Sequence, residues 1–212
     1  MVGQGVLREC LQDGDVEAVQ TVGRTGTGIR DPKLRELVHA DLWHYESIEG
    51  DLKGFDACFF CLGVTSAGMN EADYTRITHD IAIAAGETLS RLNPGMTFVF
   101  VSGMGADSSE QGRTMWARVK GKAENALMRL PFQAVYVFRP GFIQALYGIR
   151  SRTSVYRILY VVLSPLIPLL RAALPNQVLT TEDIGRAMLK VVRRGAPKRV
   201  LAPPDIRALL NS

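Results

Sequence analysis

The chain has 212 residues, 47% of them hydrophobic and 22% charged, an ordinary globular composition with enough length for one sizeable core. Three cysteines (Cys10, Cys58 and Cys61) and no signal-peptide pattern exclude a disulfide framework and predict an intracellular, cytoplasmic setting. The formal charge of +4 joins two opposed halves: residues 1–112 hold 8 Lys/Arg and 17 Asp/Glu (−9), while residues 113–212 hold 17 and 4 (+13).

In chain order, a helical stretch at Gly5–Gln12 is followed by apolar, β-branched runs at Val16–Val22 and, more weakly, Glu36–Ala40. A strand at Ala57–Leu62 leads to a long helical stretch, Asn70–Leu92. Strands at Met96–Val101 and Ala134–Phe138 flank a helix at Arg113–Arg129. A capped helix from Thr180 and a short strand at Lys198–Leu201 close the chain. Near-continuous apolar strands alternating with helices predict a doubly wound parallel sheet, an α/β three-layer sandwich, in a single domain over 1–212. Such sheets bind ligands at the carboxyl ends of their strands. The residues there are Gly23-Arg24, Asp41, Leu62-Gly63, Ser102-Gly103 and Arg139-Pro140-Gly141. Small residues admit a ligand to the backbone, and arginine forks onto phosphate.

Cys58 and Cys61 are three apart in a strand, so they face opposite sides, and no metal site is expected. His39, His44 and His79 have no ligand spacing. The basic half lacks a recognition helix or stacking motif, which argues against nucleic acid. Residues 155–174 contain 13 uncharged residues, Ile158–Leu170, between Arg157 and Arg171, too short and proline-broken to span a bilayer. Segment 142–180 is therefore read as substrate-side or interfacial. A substrate lid, a homodimer contact and a peripheral contact with the inner face of a membrane remain open for its apolar core.

The opening Met1-Val2-Gly3-Gln4-Gly5 resembles the end of the glycine-rich turn of short-chain dehydrogenase/reductases, with Gly3 as its last glycine. The first strand and earlier glycines of that motif are not in the sequence as given, and the expectation is a start placed too far downstream. Val101–Asp107 and Arg118–Glu124 are similar to the atypical members, in the branch of Tat-interacting oxidoreductase-like and nucleoside-diphosphate-sugar epimerase-like proteins. The resemblance runs from Gly3 to about residue 190. It implies an NAD(P)-binding Rossmann domain acting as an oxidoreductase or epimerase on an unknown small molecule. Arg24, where an acidic residue would accept from the ribose of NAD, implies NADP. Gly3, Asp41, Leu62, Gly63, Lys120, Arg139, Pro140 and Gly141 are the implied cofactor residues, and Ser102 and Lys120 the implied catalytic ones. The family's tyrosine position holds Trp116, whose indole does not ionise in the useful range. A non-catalytic NADPH-sensing module acting through a protein or membrane partner is the alternative.

Overall fold

The computed structural model describes residues 1–147 and 178–211. The apolar segment 155–174 lies outside them.

Helix α1 (Val2–Gln12) precedes strands β1 (Val19–Gly23) and β2 (Leu34–Val38), a 3-10 helix (Glu46–Leu52) and β3 (Ala57–Phe60). Next come α2 (Glu71–Thr75), a π-helical turn (Arg76–Asp80) and α3 (Ile81–Leu92). The second half adds β4 (Thr97–Val101), α4 (Met115–Leu127), β5 (Ala134–Phe138) and β6 (Phe142–Gln144). It continues with β7 (Val178–Thr180), α5 (Thr181–Arg194), β8 (Val200–Leu201) and α6 (Pro203–Asn211). The predicted elements are all present. Asn70–Leu92 is broken in its middle, where the π turn buries Thr78 with its hydroxyl lacking a partner among the described residues.

The ladders are all parallel and run β1–β2, β3–β4–β5–β8 and β6–β7. The doubly wound α/β expectation holds, with the sheet in separate ladders. Among the described residues β1 and β3 share no ladder, and α1 covers both, its Val6 and Cys10 packing with Val19, Phe59 and Cys61. Alternation along β4 divides the interior. Val99 faces the α1–α5–α6 layer with Leu179, Ile184, Met188 and Ile206, while Phe98 and Phe100 face α3 and α4 with Ala82, Ala123 and Leu127. Each of these larger fully buried side chains, the alanines aside, is worth roughly 1.5–3 kcal/mol.

Helices α1 and α5 cross at glycines. A Cβ at Gly5 would lie 2.6 Å from Thr181 Cβ, and one at Gly185 2.6 Å from Glu9 Cγ. Thr180 and Asp183 form a capping box that starts α5.

Candidate active site

The carboxyl ends of the strands bring most of the implied residues to one edge. Arg24 follows β1 directly. It is exposed and makes no hydrogen bond or ion pair with another described residue. Gly63, beyond β3 and Leu62, is also exposed, and a Cβ built there meets nothing within 4 Å. Gly3 lies in the first turn of α1, where its Cβ would stand 3.2 Å from Cys61 Cβ, so that end of the helix rests on the segment leaving β3. The turn has no acidic residue and no side-chain cap, leaving its N–H groups unopposed.

Asp41 is occupied locally. Its Oδ1 accepts from the Trp43 backbone N–H at 2.9 Å, and its Oδ2 lies 2.9 Å from His44 Nδ1. The imidazole beside it and the Trp43 N–H hold the Asp41 carboxyl below its ordinary range, and the carboxylate raises His44 in return.

The α4 side of β4 holds a buried polar network. Glu124 has no exposed surface. Its Oε1 accepts from the Ser102 hydroxyl, and both its oxygens accept from Arg139 Nε, at 3.0 and 3.1 Å. Arg139 Nη2 also donates to Glu124 and, at 2.6 Å, to Ser108 Oγ. A buried carboxylate held this way is costly to disturb, because losing one partner strands the other. Two expectations change as a result. Ser102 is turned inward to Glu124 rather than outward to a substrate, and Arg139 is an internal counter-ion rather than a ligand for a cofactor. The apolar strands place both residues at the right end of the sheet, but β4 and β5 alternation points both side chains at α4.

Glu124 was missed by sequence reasoning. The available signal was its position four residues after Lys120, on the same helical face.

Lys120 is half-buried, with Nζ 5.5 Å from the centre of the Phe100 ring. Burial lowers its pKa to about 8, with the Glu124 charge pulling the other way. One turn earlier, the Trp116 ring lies over the Gly103–Gly105 backbone, where a Cβ at Gly105 would be 3.4 Å from it. The loop bearing these glycines is fastened to α4. Asp107 N donates to Ala117 O at 2.9 Å, and a Cβ at Gly121 would fall 1.7 Å from Asp107 O. Pro140 O accepts from Met104 N at 3.0 Å, and Gly141 leads into β6. Beyond β6, Tyr147 has a φ of 58°. Its hydroxyl donates to Glu182 at 2.5 Å and its ring lies 3.6 Å from the Arg8 guanidinium carbon.

A nicotinamide dinucleotide fits these residues at its phosphate and adenosine end, where Arg24 is an unpaired cation, Gly63 leaves open backbone and the first turn of α1 is uncapped. Lys120 on α4 has no hydrogen-bond or ion-pair partner among the described residues, Pro140 and Gly141 follow β5, and Arg139 is held by Glu124.

No known family profile matches the chain. Protein FMP52, mitochondrial, of Debaryomyces hansenii is 31% identical over 161 residues, covering 73% of this chain and 66% of the relative. Protein HTATIP2 of Rattus norvegicus is 26% identical over 142 residues, covering 66% of this chain and 57% of the relative. The chain spans between 57% and 66% of the length of these and similar curated relatives. Among solved structures, the Bordetella bronchiseptica enzyme WbmH in complex with NAD+ superposes with a TM-score of 0.66 at 14% identity, covering 95% of this chain and 71% of that one. The fungal relatives are named as mitochondrial proteins, which corrects the cytoplasmic expectation. The three cysteines are free thiols that burial explains, so their number carries no information on compartment. The parallel ladders and these comparisons agree with the resemblance carried by the sequence: the chain has the fold of the NAD-binding WbmH structure and is similar in sequence to FMP52 and HTATIP2 over about two thirds of its own length.

Proposed function

We propose that the chain binds NADP(H) and acts as an epimerase/dehydratase-like oxidoreductase on a small molecule. The observation that supports this most is the unpaired Arg24 at the carboxyl end of β1, with no carboxylate at that position. A guanidinium there pairs with the 2′-phosphate that distinguishes NADP, whereas an acidic residue serves the free hydroxyl of NAD. Gly3 and the first turn of α1 would receive the pyrophosphate. Leu62 and Gly63 would pass beneath the adenosine, and Asp41 would border it through the turn it shares with Trp43 and His44. Lys120 would bind the nicotinamide-side ribose, with Pro140 and Gly141 framing the ring. When bound, the nicotinamide supplies or accepts a hydride.

A second reading, a dinucleotide-binding module that senses NADPH without turnover, is favoured by Trp116 and by the inward Ser102 hydroxyl. Fluorescence titration tests the cofactor claim. NADPH binding at least about tenfold tighter than NADH, with Arg24→Ala removing the difference, supports it. Equal binding of the two, unaltered in Arg24→Ala, rejects it.

A further inference from the structure

Trp116, Lys120 and Glu124 follow one another at a spacing of four along α4, and Lys120 and Glu124 both reach the side of β4 that carries Phe100 and Ser102. The surroundings of the candidates for proton transfer on this face separate them. The Trp116 indole donates hydrogen bonds and does not ionise in the useful range. Ser102 has its hydroxyl hydrogen on Glu124, and Glu124 holds Arg139 through both oxygens, so hydroxyl and carboxylate are already committed to each other and to the guanidinium. Lys120 differs from them. Its ammonium makes no hydrogen bond or ion pair with another described residue, and the Phe100 ring lies beside it.

We propose that Lys120 is the catalytic acid and base of this site, giving a proton to the substrate oxygen and taking one from it, in place of a phenol at residue 116. The assignment rests on the dinucleotide-binding reading for its source of hydride. As a carbonyl carbon gains the hydride that NADPH supplies and NADP+ is formed, the carbonyl oxygen takes a proton from Lys120 Nζ. The electrons of that N–H bond stay on nitrogen, and the neutral amine recovers its proton from water. In the oxidising direction the neutral amine takes the hydroxyl proton as the hydride leaves carbon for NADP+.

The surroundings suit this work. Desolvation brings the amine to about 8, where both its forms are populated near neutral pH and it serves in either direction. Glu124 is the charge that acts against this shift, and Arg139 neutralises it. The other charges on the elements packed against α4 are paired or face solvent. Glu71 of α2 is 2.6 Å from Arg118, and Asp80 of the π turn is 2.8 Å from His79. Asp107 accepts from Ser109 and Gly112 in its own loop, Arg91 of α3 pairs with Glu49, and Glu87 and Lys122 are exposed. The buried Thr78 hydroxyl on the π turn is uncharged.

Two measurements test the proposal. In the first, the six lysines of the free chain are reductively methylated with 13C and titrated by NMR, the Lys120 signal being assigned by its loss in Lys120→Arg. The Lys120 resonance titrating near pH 8 supports the proposal, and that resonance titrating above pH 10 overturns it; the N-terminal amine, which also titrates at about 8, is set apart because its signal persists in Lys120→Arg. In the second, NADPH binding and NADPH consumption with 4-nitrobenzaldehyde are compared in wild type and Lys120→Arg, with circular dichroism as a check on folding. Arginine keeps the cation and does not release its proton. Because Lys120 would also bind the nicotinamide-side ribose, NADPH binding should weaken in the variant, while turnover measured at saturating NADPH should fall about 10²-fold or more and lose its limb near pH 8. Unchanged turnover in the variant overturns the assignment, as does a wild type that binds NADPH without consuming it. A wild type that binds no NADPH removes the dinucleotide reading and this one with it, a result that the binding arm alone identifies.

Discussion

The Ser102 hydroxyl donates to the Glu124 carboxylate, joining the residue just past β4 to helix α4 inside the protein. Because Arg139 approaches the same carboxylate from β5, three elements of the α4 side are tied at one fully buried group.

Breaking this tie should cost stability. Glu124→Gln leaves the guanidinium without its counter-ion, and urea denaturation should show a loss of about 3–5 kcal/mol. Adding Arg139→Gln to that variant should recover part of it, since the stranded charge is then gone. Equal losses in the single and double variants would show that packing, rather than charge, holds the network.

The contact between α4 and the loop after β4 makes a sharper steric prediction. A methyl group at Gly121 would occupy the place of Asp107 O, at 1.7 Å, and that backbone atom has no rotamer to retreat to. Gly121→Ala should lower stability by about 3 kcal/mol or more, at or above the usual cost of overpacking. Gly14→Ala, where a Cβ meets nothing within 4 Å, should stay within about 0.5 kcal/mol of wild type in the same thermal melts.

Residue 116 separates the enzymatic reading from the sensing one. Trp116→Tyr places a phenol one helical turn before the Lys120 ammonium. A rise in NADPH consumption with 4-nitrobenzaldehyde would show a scaffold competent for reduction. An unchanged background with NADPH still bound would favour sensing.

Asp41 and His44 predict a pH window. His44 is raised above its ordinary 6.5, so its share of the pairing is complete below that value and is lost as pH rises through the raised value. Asp41 is lowered from 3.8, so its share is complete above that value and is lost as pH falls through the lowered one. The pair is thus fully formed between about pH 4 and 6.5. In NMR titration His44 should titrate above 6.5 and return towards it in Asp41→Asn.

Burial pushes the thiols of Cys10, Cys58 and Cys61 up to about 12. An aromatic disulfide reagent at pH 8 should therefore label the native chain far more slowly than the urea-unfolded one, by about 10²-fold or more. Rapid native labelling of any one of them would show that its cover opens.

The strands were legible because β-branched and aromatic runs such as Ala134–Phe138 coincide with the observed element. The π turn was not, because polar and apolar residues keep a helical period through Arg76–Asp80 while the hydrogen bonds shift by one residue. The position of Arg24 just past β1 was legible, since the end of its own strand alone sets it. The role of Arg139 was hidden because its partner lies on α4, 15 residues earlier in the chain, and an arginine after a strand looks the same whether it faces a ligand or a buried glutamate.

From Asp107 onward the loop 103–112 is bonded to α4. Ala117 O and Arg118 hold Asp107 and Gly112, and Asn125 holds Ser108. It therefore travels with the helix that carries Trp116 and Lys120 and forms a fixed wall beside them. A change in the loop is therefore a change in α4 as well, and substitutions that free Asp107 or Gly112 from the helix should move the Trp116 side chain with them.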